Sequence, residues 1–206
     1  MRTHIRRRAA AAVTGIIVSA TTIFGPVAAH ASPGDQDTAA VVTAEMTSPA
    51  GRTIVDLLSD RPLRALDDVP PDFGDRFGYQ PQARDGYPVN PAGACSSPVP
   101  LPGRFEKLCA THDFGYDLLR YAADRGHPLS GWARLRLDRQ LVARMHAACS
   151  SPLCTATAVL AAAGLGVNTW RQYDGVPVRG ESVGDLVVTS VTRAAAAVTA
   201  RSGAQR

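Results

Sequence analysis

The amino-acid sequence predicts an all-α fold, and three observations carry that expectation. Apolar residues recur at spacings of three and four along 104–126 and share one face along 130–148, and 152–173 is rich in alanine and leucine. Prolines gather instead in one stretch, 67–103, which no long helix can cross. Four cysteines, Cys95, Cys109, Cys149 and Cys154, are even in number, as in small exported domains braced by disulfides. Bridges are preferred over a tetrahedral metal site because no C-x2-C pair is present, and three pairings are open in principle.

Taken in chain order, residues 1–31 have the layout of a signal peptide. Arg2, Arg6, Arg7 and Arg8 lead into an apolar stretch over 9–28 and then Ala29-His30-Ala31, with cleavage expected after Ala31. Gly25, Pro26 and four hydroxyl residues weaken that stretch as a lasting membrane anchor. Of the 22 basic and 18 acidic residues, four basic and no acidic ones fall in 1–31, which leaves 18 of each in the processed chain. A neutral chain gives no reason to expect nucleic acid as a partner.

Residues 32–46 are small, polar and without an apolar period, and are expected to be a mobile leader. Ile54, Val55, Leu57, Leu58, Leu63 and Leu66 suffice for one short helix or for two turns interrupted at Pro62. This N-terminal part, 32–71, precedes a domain expected over 72–175, with 176–206 as a C-terminal extension. The 67–103 stretch reads as ordered loop that Phe73, Phe77, Tyr79 and Tyr87 could dock.

Phe105, Leu108, Cys109, His112, Tyr116 and Leu119 then share one helix face, and Gly126 is a natural stop. A second helix starts at Ser130 as N-cap and places Leu135, Asp138, Leu141, Val142, Met145 and Cys149 together. The third, 152–173, is assigned to the core, because its charge-free run over 155–170 is too short to span a bilayer. Beyond Glu181 a faint helical period (Leu186, Val187, Val191, Val198) fits either a helix or a frayed tail.

The chemistry concentrates in CATHDFGYDLLR, residues 109–120. His112 lies one turn after Cys109 and one before Tyr116, so an ionisable ring sits on the buried stripe. Such a histidine is more often a satisfied core residue than a catalyst, but Asp138 interrupts the apolar face of the next helix. An unpaired buried charge costs several kcal/mol, so Asp138 needs a partner. His112 is the best-placed candidate, with Arg136 or Arg139 as alternatives. Were the helices antiparallel, the acid would fix the imidazole tautomer and leave the other ring nitrogen as a base. Asp113 points about 100° away, toward a loop whose backbone carbonyls could join it around a hard cation such as calcium.

Cys109-x-x-His112-Asp113-x-x-Tyr116 with Gly115, and Arg136-Leu137-Asp138 followed by Met145 and Cys149, resemble the secreted phospholipase A2 superfamily. The likeness is closest to its small actinobacterial and fungal branch and covers roughly residues 85–173. It implies an antiparallel helix pair stapled by Cys95–Cys109 and Cys149–Cys154. It also implies His112 as general base on a water attacking the sn-2 ester, Asp138 as its orienting acid and Tyr116 as support for Asp138. Calcium on Asp113 and the Ala94 carbonyl would polarise the ester. The expected setting is extracellular, with phospholipid at a membrane or micelle surface as substrate, a monomeric enzyme and no transmembrane anchor after processing. One departure stands out. The family places an aspartate before the loop cysteine, whereas this chain reads Asn90-Pro91-Ala92-Gly93-Ala94-Cys95, so calcium should bind more weakly, helped by Asn90 or Asp85 if they reach. A weakly active secreted binding module and a metal-independent esterase are the alternatives.

Overall fold

The computed structural model describes residues 33–97 and 100–204, and the expected signal peptide lies outside them. Among the described residues the chain is mostly helical, with one two-stranded hairpin and two disulfides, Cys95–Cys109 and Cys149–Cys154.

The segment expected to be a mobile leader is a helix, α1 (Pro33–Thr47). A tertiary tie holds its last turn. Glu45 Oε2 accepts from the Ser130 backbone N–H (3.0 Å), the Ser130 hydroxyl (2.7 Å) and the Trp132 indole (2.6 Å). Helix α2 (Pro49–Leu57) follows at once, because Ser48 caps it by accepting from Gly51 N–H at 3.1 Å and Pro49 suits the first helical position. Gly51 is required there, since a Cβ would lie 1.8 Å from the Glu45 carbonyl oxygen. Ala50, Ile54 and Leu57 enter the same core as Phe114, Leu118 and Leu137. The packed unit therefore begins near residue 49, well before the expected start at 72.

Within the proline-rich stretch, a 3-10 turn (Pro62–Leu66) and the short helix α3 (Phe73–Phe77) lead to a hairpin. Its strands β1 (Gln82–Arg84) and β2 (Tyr87–Val89) pair antiparallel, with Arg84 opposite Tyr87. The sequence reading had only loop here. Asp85 (φ 49°) and Gly86 (φ 81°) supply the two left-handed positions of a tight hairpin turn. The aromatics dock as expected: Phe73 contacts Phe77, Tyr79 and Phe114 with ring centroids 4.8–5.7 Å apart, and Tyr87 lies under Arg144 at 3.4 Å.

Helices α4 (Glu106–Asp124) and α5 (Gly131–Ala147) form the centre. Gly126 (φ 78°) closes α4, where His127 N–H reaches back to the Ala122 carbonyl. Arg104 meets Ala148, His112 meets Asp138 and Arg134 meets Tyr116; one number falls as the other rises, so the pair is antiparallel. Ser130 occupies the N-cap backbone position of α5, but its hydroxyl donates to Glu45 rather than capping the helix. Leu135, expected on the inner face, is exposed. Gly115 lets the helices close, since a Cβ there would stand 2.5 Å from Leu137 Cδ2. Gly115→Ala is expected to cost about 1–3 kcal/mol through overpacking, read as a lower urea midpoint at unchanged m-value.

Helix α6 (Pro152–Arg171) corrects the expectation of a core helix. Only Cys154, Ala158, Thr169 and Arg171 are buried, while Leu153 is 79% exposed and Leu160 66%. An alanine-rich helix that is apolar all round does not show from its composition which faces are covered, and α6 packs mainly on α5. The C-terminal extension is a helix, α7 (Val183–Ala204), with no buried residue among those described. Arg193 ties it to α6, donating from Nε to the Trp170 carbonyl (3.1 Å) with its guanidinium 5.7 Å from the Trp170 ring. By length and composition alone, α6 and α7 are each long and apolar enough to cross a membrane.

Candidate active site

Helix α4 presents His112 and Tyr116 one turn apart toward Asp138 on α5. His112 Nε2 lies 2.8 Å from Asp138 Oδ1, and the Tyr116 hydroxyl donates to the same oxygen at 2.7 Å. The His112 and Tyr116 rings are 4.0 Å apart by centroid. Asp138 Oδ2 accepts from the Thr169 hydroxyl of α6 at 2.6 Å. His112 and Asp138 are both 8% exposed. Arg136 and Arg139, the other conceivable partners for Asp138, point to solvent.

Burial alone would raise the Asp138 carboxyl. Hydrogen bonds from His112, Thr169 and Tyr116 outweigh that effect, so it is held below the usual carboxylate range and stays ionised at neutral pH. An ionised Asp138 requires the imidazole proton on Nε2, which puts the lone pair of the neutral ring on Nδ1. Nδ1 has no protein hydrogen bond among the described residues. Burial and then the Asp138 charge push the Tyr116 phenol up, so it remains a donor.

Asp113 faces the 90–94 loop, as expected, but the contact takes a different form. Ala94 offers its N–H to Asp113 Oδ2 (3.0 Å) rather than presenting its carbonyl as a fellow ligand. Asn90 is committed elsewhere, donating to Asp117 at 3.2 Å and accepting from Ala92 N–H at 2.9 Å, and Asp85 pairs with Lys107 at 3.1 Å. Burial raises the Asp113 carboxyl, and the His112 charge and the Ala94 N–H offset this only in part. A cation beside this half-buried carboxylate would favour its ionised form. Asp113 thus offers one side-chain carboxylate to a hard ion, where calcium prefers several oxygens. No cluster of three potential metal ligands occurs among the described residues.

Asp117, Arg120, Arg134 and Thr169 escaped the sequence reading. Asp117 is almost fully buried and accepts from Tyr79 (2.9 Å), Asn90 (3.2 Å), Arg120 (2.7 Å) and Arg179. Its position four residues after Asp113 was the available signal. Arg134, 1% exposed, donates from Nε to Thr169 Oγ1 (3.0 Å) and from Nη1 to the Gly175 carbonyl (2.8 Å). Tyr173 and Asp174, both at φ 56°, steer that carbonyl inward at a cost of roughly 1–2 kcal/mol per residue. Arg120 Nε then holds the Pro177 carbonyl (2.8 Å), so the segment leaving α6 lies along α4. Nothing in the sequence pattern singled out Arg134 or Thr169.

The arrangement offers a neutral imidazole, oriented by an ionised acid with every oxygen occupied, next in sequence to a half-buried carboxylate, Asp113, beside a backbone loop. That is general-base equipment. Two surface clefts lie away from it, one between Arg76, Phe77, Arg120 and Arg179, the other between Pro100, Arg104, Leu153 and Thr157. No family model, curated protein or solved structure matches this chain.

Proposed function

We propose that this chain is a secreted phospholipase A2-type hydrolase that cleaves the sn-2 ester of phospholipids. The observation that carries the reading is the buried His112–Asp138 pair, 2.8 Å apart, with Nδ1 left over as a base. His112 takes a proton from water as the water oxygen attacks the ester carbonyl, and Asp138 stabilises the imidazolium that forms. The same proton passes to the leaving alkoxide as the acyl C–O bond breaks, releasing fatty acid and lysophospholipid. Tyr116 and Thr169 keep Asp138 from turning. Asp113 would hold calcium weakly, and bound calcium would polarise the ester carbonyl. Two disulfides suit an oxidising, extracellular setting.

Mixed micelles of phospholipid labelled at the sn-2 acyl chain, incubated with the full chain in calcium and in chelator, test this. Labelled fatty acid should appear, several-fold faster with calcium. Equal release in chelator would remove calcium and leave the esterase; no release in either would remove the enzyme. The second reading, a binding module without turnover, is favoured by the exposed apolar residues of α6 and α7, such as Leu160, Val183 and Val191. It predicts association with vesicles and no released acid.

A further inference from the structure

We propose that the cleft between α3, α4 and the segment leaving α6 binds a phosphate group, carried either by the free ion or by a phospholipid headgroup. Arg76 and Phe77 of α3, Arg120 of α4, and Pro177 and Arg179 line a space of about 310 Å³, with Asp124 as its one acid. The cleft shares no lining residue with the His112–Asp138 pair, so the inference stands whether or not the chain hydrolyses lipid.

The three guanidinium groups are brought together by backbone ties rather than by chance of exposure. Arg134 holds the Gly175 carbonyl and Arg120 Nε holds the Pro177 carbonyl, each at 2.8 Å, which pins the segment that carries Arg179. Arg120 Nη1 and Arg179 Nη2 then meet the same oxygen of Asp117. One carboxylate therefore faces two cations. Arg76 is the least engaged of the three, standing 3.6 Å from both Asp72 and Asp124, too far for either acid to take a hydrogen bond.

Charge and shape select the ligand. The ion pairs here set Arg76, Arg120, Arg125 and Arg179 against Asp72, Asp117 and Asp124, so one positive charge is left over. A phosphodiester carries one negative charge. Guanidinium groups arriving from three separate elements suit a tetrahedral group with oxygens on several sides, whereas a carboxylate offers two oxygens in one plane. The Phe77 ring, 5.0 Å from the Arg179 guanidinium, and Pro177 give an apolar wall for the organic part of an ester.

Calorimetric titration of the full chain tests this, in chelator and at an ionic strength fixed with sodium chloride. The probes are inorganic phosphate, glycerophosphoglycerol (a lipid headgroup without acyl chains) and acetate. Phosphate and glycerophosphoglycerol should bind saturably and raise the unfolding midpoint, and acetate should bind more weakly than either. The tighter of the first two identifies the source of the phosphate. Arg76→Gln and Arg179→Gln should each weaken binding by about tenfold, the loss of one charge-assisted hydrogen bond, and Asp124→Asn should tighten it. Asp72 keeps Tyr121 and Arg125 in the first variant, and Asp117 keeps Tyr79, Asn90 and Arg120 in the second, so both should fold. If one does not, the other carries the test with Asp124→Asn. Absence of both heat and midpoint shift overturns the proposal, as does acetate binding as tightly as phosphate, or an affinity that the folded arginine variants leave unchanged.

Discussion

Replacing His112 by alanine is expected to lower fatty-acid release by ~10²–10⁴-fold, the range that a general base supplies, in a protein that still folds. Asp138 keeps its bonds from Tyr116 and Thr169 in that variant, so the carboxylate is not stranded. Asp138→Asn should give a comparable loss by another route, since an amide can donate to Nε2 and favour the tautomer whose lone pair faces inward. The pH dependence separates the two partners. Hydrogen bonds hold the Asp138 carboxyl below the usual range against the opposing effect of burial, so its stabilising contribution is complete above about pH 4 and is lost only as pH falls through the lowered value. A decline of activity in mildly acidic solution therefore does not come from protonation of Asp138. Release assays between pH 4 and 8, with near-ultraviolet circular dichroism to confirm folding, check both outcomes; undiminished release by His112→Ala would rule the base out.

Asp117→Ala should be strongly destabilising, by about 2–3 kcal/mol, because Tyr79, Asn90 and Arg120 lose the acceptor they share. Four donors converge on this carboxylate, two of them guanidinium groups from Arg120 and Arg179. Arg120 also holds the Pro177 carbonyl, so loss of the acid should loosen the segment that runs from α6 back along α4. Asp117→Asn, which keeps an acceptor but no charge, should cost less. Urea unfolding with the disulfides intact measures both, and an alanine variant within 1 kcal/mol of the unchanged chain would contradict this role.

What could be read from sequence was what a period or a spacing encodes. The apolar repeat placed α4 and α5, and the intrusion of Asp138 into an apolar face led to His112, because a buried charge demands a partner. The N-terminal half was read less well. Its ordering comes from single contacts that leave no period: Glu45 on Ser130 and Trp132, and Gly51 under the Glu45 carbonyl. Two local signals were present and passed over, the Ser48-Pro49 cap and the Asp85-Gly86 turn. Thr169 was beyond reach for another reason. Its importance depends on the crossing of α6 over α5, which composition does not specify, and the same uncertainty turned an expected core helix into a largely exposed one.

The tie between Glu45 and the Trp132 indole, set beside the Arg193 guanidinium over Trp170, gives the protein two intrinsic optical reporters. The chain has two tryptophans, and each sits where a terminal helix meets the body of the molecule. Emission from one registers the seating of α1 and emission from the other the seating of α7. A single phenylalanine replacement at either ring would let a fluorimeter follow the departure of each end separately.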